Sequence, residues 1–221
     1  MKKKKTVIIF GATGYIGEKI SIELAKYDLD LVLHGKTKKK LISLDDKIKP
    51  LGKKSTLIHC DFCDSDNFKK LAFSLSQKYK NIDFIINSIG LIEKLCPLTD
   101  LTLEEWDKMI NINLSSNWKI LKNLEPLLMN SVAPKIIFIS NTTIAKGHPY
   151  HHAYSVAKSG LEAMVRIYNE EKMKFKINAE LIQLKSLKIG LLKKFHTQED
   201  KNEIENLSKE LKEIIKKIIN S

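Results

Sequence analysis

The sequence predicts an α/β protein: a doubly wound parallel sheet with helices on both faces, in one domain spanning 1–221. Three observations predict it. Six short apolar runs recur along the chain. Longer segments with helical spacing separate most of them. A glycine-rich turn follows the first run directly.

The six runs are Thr6–Phe10, Leu29–His34, Ser55–Cys60, Ile82–Asn87, Lys135–Ser140 and Ile177–Leu184. The first five are nearly unbroken in apolar character, as strands covered on both faces should be. Between them, Gly14–Tyr27, Ser65–Tyr79, Thr102–Met129 and His151–Met173 carry helical spacing. Right-handed crossovers then generate the doubly wound, Rossmann-type arrangement. In the tail, Ile204, Leu207, Leu211, Ile214, Ile215 and Ile218 form one stripe of an amphipathic helix, expected to pack on the sheet. No strand follows it, so the sheet is expected to lack a seventh strand. Residues 185–221 are read as a substrate-side segment plus this helix.

Composition narrows the function classes. The chain has 221 residues, 43% hydrophobic and 29% charged, an ordinary globular balance. No apolar run approaches the roughly 20 residues of a membrane span. The run after Lys2–Lys5 is too short for a signal-peptide core, so a cytoplasmic protein is expected. Net charge is +12, but the chain holds a single arginine, Arg166, and its lysines spread along the whole length. Arginine is the residue suited to bidentate phosphate and base recognition, so no nucleic-acid role is expected. Three cysteines, Cys60, Cys63 and Cys96, suit a reducing compartment. Cys60 and Cys63 form C-x-x-C without a second pair, so no metal site is expected.

The chemistry lies in a few motifs. "GATGYIG" after the first strand places Gly11, Gly14 and Gly17 at three-residue intervals where a helix begins. Glycines let backbone approach a pyrophosphate, and a helix N-terminus offers free N–H groups. Gly11, Thr13, Gly14, Tyr15, Ile16 and Gly17 are the expected cofactor contacts. After the second strand, Lys36 stands where NAD-selective sites place an acid, backed by Lys38 and Lys39. A cation there suits the 2′-phosphate of NADP, with NAD also possible; a solvated lysine run is the bland alternative. Tyr154 and Lys158, four residues apart, share one helix face. A tyrosine titrates near ~10 and needs a nearby cation to act as acid or base at neutral pH. With Lys158 beside it, Tyr154 can give its proton to a carbonyl oxygen as hydride arrives at carbon.

With these residues, "NSIG" at Asn87–Gly90 and "NIN" at Asn111–Asn113, the chain resembles the short-chain dehydrogenase/reductase superfamily from about Lys5 to Asn178. The resemblance implies an NADP-dependent oxidoreductase acting on a carbonyl or alcohol. It implies Asp61 at the adenine edge, with Asn87 and Gly90 closing the nucleotide site. It implies Asn113 in a proton relay, Tyr154 as general acid/base and Lys158 as its partner and ribose ligand. A homodimer through the helices at Thr102–Met129 and His151–Met173 is implied as well.

The sequence also departs from the family. Thirteen positions before Tyr154, where the family keeps a serine, stands Asn141, in a register supported by Pro149. Its amide can donate to a substrate oxygen; Thr142 is the rival if the loop shifts by one residue. The Pro-Gly expected after the sixth strand is absent. His148, His151 and His152 crowd the loop before Tyr154, as loop or substrate contacts. Two other functions stay open. One is a non-catalytic nucleotide-binding protein, favoured by Asn141. The other is a nucleotide-sugar enzyme, suggested by the glycine spacing but short of residues for a substrate domain.

Overall fold

The structure, a computed structural model, describes residues 4–62, 66–141, 146–184 and 201–220. Cys63, Thr142, Thr143 and the segment 185–200 lie outside the described residues.

All six expected strands form, as β1 (Lys5–Phe10), β2 (Leu29–Gly35), β3 (Ser55–His59), β4 (Phe84–Asn87), β5 (Lys135–Asn141) and β6 (Asn178–Leu184). They make one parallel sheet in the order β3-β2-β1-β4-β5-β6. Strand alternation feeds two cores. On one face Val7, Ile9, Leu31, Leu33, Ile137 and Ile139 meet α1 (Tyr15–Leu24), α2 (Lys38–Ile48) and α7 (Lys201–Ile219). On the other, Ile8, Phe10, Ile85, Ile136 and Phe138 meet α3 (Asp66–Lys78), α5 (Ser116–Met129) and α6 (His152–Glu171). The tail stripe docks as its pattern predicts: Leu207, Leu211, Ile214, Ile215 and Ile218 are all buried. Burying each such side chain is worth roughly 1.5–3 kcal/mol, which holds α7 on the sheet.

Two elements differ from the expectation. The lysine run after β2 is not only a strand end; it opens α2, whose Leu41, Leu44 and Ile48 reach the core. Surrounding lysines and aspartates dilute that stripe in the sequence. The expected helix over Thr102–Met129 is divided. It comprises α4 (Leu103–Ile110), a π turn over Asn111–Ser115, and α5. α4 begins at a capping box, where Thr102 and Glu105 exchange side-chain and backbone bonds at 2.9 and 3.2 Å. The π turn follows from Asn113. Its side-chain amide donates to the Met109 carbonyl at 2.8 Å, competing with the backbone for that acceptor.

β1 pairs with both β2 and β4, so the chain winds in opposite directions on either side of it. A sheet of this kind opens a crevice at the carboxyl ends of those strands.

Candidate active site and the cleft beside it

The glycine turn closes tightly on itself. Gly11 has φ +73°, a conformation that favours glycine, and its carbonyl accepts the Gly14 N–H at 2.9 Å. A Cβ on Gly17 would lie 2.2 Å from that same carbonyl, so α1 can approach only because residue 17 is glycine. Among the described residues no side chain caps α1 at Gly14, which leaves its first N–H groups for an anion.

A cleft of about 240 Å³ opens at this turn. Gly11, Thr13, Gly14, Lys36, Asp61 and Gly90, all expected site residues, line it together. Tyr15, Ile16, Gly17, Asn87, Tyr154 and Lys158 do not. Ile16 packs into the sheet core, and Asn87 stands behind the wall, accepting the Ile89 N–H at 3.0 Å. Lys38 and Lys39 do not line it, whereas Thr37 and Lys40 do, beside Lys36. Lys40 follows from α2: it lies in that helix's first turn, three residues beyond its N-cap Thr37, a position invisible while the run reads as featureless.

His34 is a cleft residue that sequence reasoning missed, since a histidine ending an apolar strand reads as an edge. It is buried, its ring stacked on Phe62 with centroids 4.2 Å apart. Nε2 lies 3.0 Å from the Cys60 carbonyl and Nδ1 3.4 Å from the Gly11 nitrogen. These partners assign the neutral tautomer with the proton on Nε2. Burial pulls its pKa down to about 4.

Behind the cleft a chain of buried amides runs from β4 to the π turn. Asn87 Nδ2 donates to Asn117 Oδ1 at 2.5 Å, and Asn117 Nδ2 donates to the Asn113 carbonyl at 2.8 Å. The Asn113 side chain clamps Leu91 at two points, accepting its N–H and donating to its carbonyl, each at 2.8 Å. With Met109 as well, both amide hydrogens of Asn113 are committed. Asn117 was legible only as a helix residue.

Tyr154 and Lys158 lie in the first two turns of α6, each 2% exposed. The ammonium stands 5.6 Å from the tyrosine ring centroid and donates to the Ile139 carbonyl of β5 at 3.1 Å. The one-turn spacing thus does bring the pair together at the carboxyl end of the sheet. Burial acts against the expected lowering of the tyrosine: it pushes the Tyr154 hydroxyl above the ordinary range and pulls Lys158 down to about 8.

Asn141 ends β5, buried, with its Nδ2 donating to the Leu184 carbonyl of β6 at 3.0 Å. One amide hydrogen is therefore engaged away from any substrate. Its neighbour Ser140 has a fully buried hydroxyl without a hydrogen-bond partner. In the loop before Tyr154, Tyr150 and His152 both take positive φ, and His152 Nε2 meets the Lys94 carbonyl at 2.9 Å. His148 and His151 face each other with their Nδ1 atoms 3.1 Å apart. Among the described residues no three potential ligands converge on a metal position, and no helix is long and apolar enough to cross a membrane.

The model of the short chain dehydrogenase family matches residues 5–214. The chain belongs to this family. It is 24% identical over 170 residues to the oxidoreductase YciK of Escherichia coli (strain K12), covering 76% of this chain and 68% of that one. It is 29% identical to the short-chain dehydrogenase/reductase FrzI of Cladobotryum sp over 76% of this chain and 64% of that one. It is 24% identical to the 3-oxoacyl-[acyl-carrier-protein] reductase FabG of Staphylococcus aureus over 75% and 68% of the two chains. Among solved structures, a short chain dehydrogenase of Shigella flexneri 2a str. 301 complexed with NADP superposes with a TM-score of 0.82. It shares 22% identity, with 89% of this chain and 83% of that one covered. A counterpart from Escherichia coli CFT073, complexed with NADPH, gives 0.78 at 22% identity, with 82% and 77% covered. The short chain dehydrogenase fold is thus shared along most of the chain.

Proposed function

We propose that this short chain dehydrogenase reduces a carbonyl group of a small molecule with NADPH, Tyr154 delivering the proton. The observation that carries the reading is the buried Tyr154–Lys158 pair, anchored to β5 through Ile139 at the sheet end where the cleft opens. The NADP- and NADPH-bound neighbours support the choice of cofactor.

The residues present fit such a cofactor. Gly11, Thr13, Gly14 and the start of α1 would hold the pyrophosphate, with Tyr15, Ile16 and Gly17 supplying backbone to that turn. Lys36 and Lys40 would meet the 2′-phosphate, Asp61 the adenine edge, and Gly90 the opposite wall, braced by Asn87. The bound cofactor supplies hydride to the carbonyl carbon. Tyr154, kept protonated by burial, hydrogen-bonds the carbonyl oxygen and gives up its proton as negative charge develops there. Lys158 stabilises the tyrosinate that results. A relay through Asn113 uses its backbone carbonyl, because its amide hydrogens are spent on Leu91 and Met109. Asn141, at the end of β5, is assigned to orient the substrate oxygen, in competition with its bond to the Leu184 carbonyl.

A second reading, nucleotide binding without turnover, is favoured by the bond between Asn141 and Leu184. The two separate when NADPH oxidation is followed with ketones, 3-oxoacyl thioesters and keto-sugars. Oxidation with any of them supports the enzyme, and NADPH binding without oxidation across the panel supports the binder. We further propose a cytoplasmic homodimer through α5 and α6, where exposed Trp118, Val156 and Ile167 offer apolar surface. A monomeric mass by light scattering would oppose it.

A further inference from the structure

His34 lines the cleft yet has no part in the assignments above. Its ring joins two walls of the cleft that the sequence brings from different strands. One is the glycine turn: Gly11 N–H points to Nδ1 at 3.4 Å, and the His34 carbonyl accepts the Ala12 N–H at 2.9 Å. The other is the turn after β3: Nε2 meets the Cys60 carbonyl at 3.0 Å, and Phe62 stacks on the ring face. Cys60 and Phe62 flank Asp61. A single side chain therefore spans from the expected pyrophosphate wall to the expected adenine wall.

We propose that His34 is a positioning residue for cofactor binding, fixing the glycine turn through Nδ1 and the Asp61 turn through Nε2. The proposal rests on the reading of this cleft as an NADPH site. Its physical basis is preorganisation. Gly11 sits at φ +73°, and glycine loses more conformational freedom on being ordered than any other residue. Ordering it during binding would cost affinity, and a bond already made in the free protein removes that cost. The acceptor must be an unprotonated ring nitrogen. Burial keeps the ring neutral well below pH 7, although Asp61 favours the cation, and nearby His59 adds to the same effect as burial.

Three substitutions separate the two bonds from mere filling of space. In His34→Asn the side-chain oxygen falls near the Nδ1 position and can accept the Gly11 N–H. In His34→Gln the amide reaches the Nε2 position and can donate to Cys60. His34→Phe keeps the ring and its stack on Phe62 and makes neither bond. NADPH affinity is measured on the full chain by fluorescence titration, with thermal unfolding alongside. His34→Asn and His34→Gln each keep one of the two bonds and are expected to bind NADPH a few-fold more weakly than wild type, and His34→Phe, which keeps neither, about tenfold more weakly. Melting temperatures should not follow that order, since His34→Phe preserves the packing. Wild-type affinity in a folded His34→Phe would overturn the proposal. So would affinities that simply track melting temperature across the three, which marks a packing role. If His34→Phe does not fold, wild-type affinity in both folded His34→Asn and folded His34→Gln overturns the proposal. Wild type that binds no NADPH fails the cofactor assignment itself, an outcome separate from any difference among variants.

Discussion

Lys158 Nζ donates to the carbonyl of Ile139 at 3.1 Å, fully enclosed, with the Tyr154 ring beside it. This bond ties α6 to the end of β5 and fixes the ammonium within reach of the phenol. The ion is held there at a cost. A charge this deep is desolvated, and one backbone carbonyl compensates only in part.

Lys158→Met should therefore stabilise the chain while removing its function. Burial takes the folded lysine from 10.5 to about 8, so the unfolded chain binds more protons between those values. Stability then rises with pH across that window, and the full penalty, roughly 3 kcal/mol, is present below it. Losing the bond to Ile139 returns about 1 kcal/mol of this. Thermal unfolding at pH 7 should show Lys158→Met melting several degrees higher, about 2 kcal/mol, and the gain should shrink as pH rises from 8 toward 10.5. A lower melting point at pH 7 would show that the enclosed ammonium is well solvated by its surroundings.

Lys36 should set the preference for NADPH. Its charge lines the cleft with that of Lys40, and the strand end carries no acid. Lys36→Asp is expected to weaken NADPH binding about tenfold, near 1.4 kcal/mol, and to leave NADH binding unchanged or improved. Equal wild-type affinity for the two cofactors, by fluorescence titration, would contradict this.

Ser140 and Asn141, adjacent on β5, should respond in opposite ways. The Ser140 hydroxyl is buried without a partner, so Ser140→Ala should be neutral or stabilising. Asn141→Ala strips the Leu184 carbonyl of its donor and should cost about 1–3 kcal/mol. It should also cut turnover on the order of 10²–10³ by removing a donor at the substrate oxygen, with Asn141→Ser keeping much of it. Chemical denaturation and steady-state rates check both. Unchanged turnover in a folded Asn141→Ala would confine that residue to tying β5 to β6.

The four inner strands, β1, β2, β4 and β5, were legible because they are buried on both faces and so read as continuous apolar runs, from "TVIIF" to "KIIFIS"; β3, expected to be covered on both faces as well, lies at the sheet edge with no buried residue. The glycine turn was legible because Gly11 and Gly17 answer steric demands that no other residue meets. α2 was hidden because Leu41, Leu44 and Ile48 are embedded in a run of charges. The division of the long helix was hidden because it depends on one side chain, Asn113, competing for a carbonyl. His34 and Asn117 were missed for a related reason. Their roles lie in partners far along the chain, Gly11 and Cys60 for one and Asn87 for the other, which spacing cannot reveal. The same limit applies to Tyr154. Helical spacing pairs it with Lys158, but only the fold shows that burial pushes the phenol above its ordinary range.

Proton delivery by Tyr154 is tested by NADPH oxidation in Tyr154→Phe against wild type, on whichever carbonyl substrate the panel yields, with NADPH affinity measured in both. The substitution removes one hydroxyl and keeps the buried ring. Turnover is expected to fall by on the order of 10² or more while NADPH affinity stays near the wild-type value. Turnover equal to wild type in a Tyr154→Phe that binds NADPH normally would contradict the assignment and move the proton donor to another group.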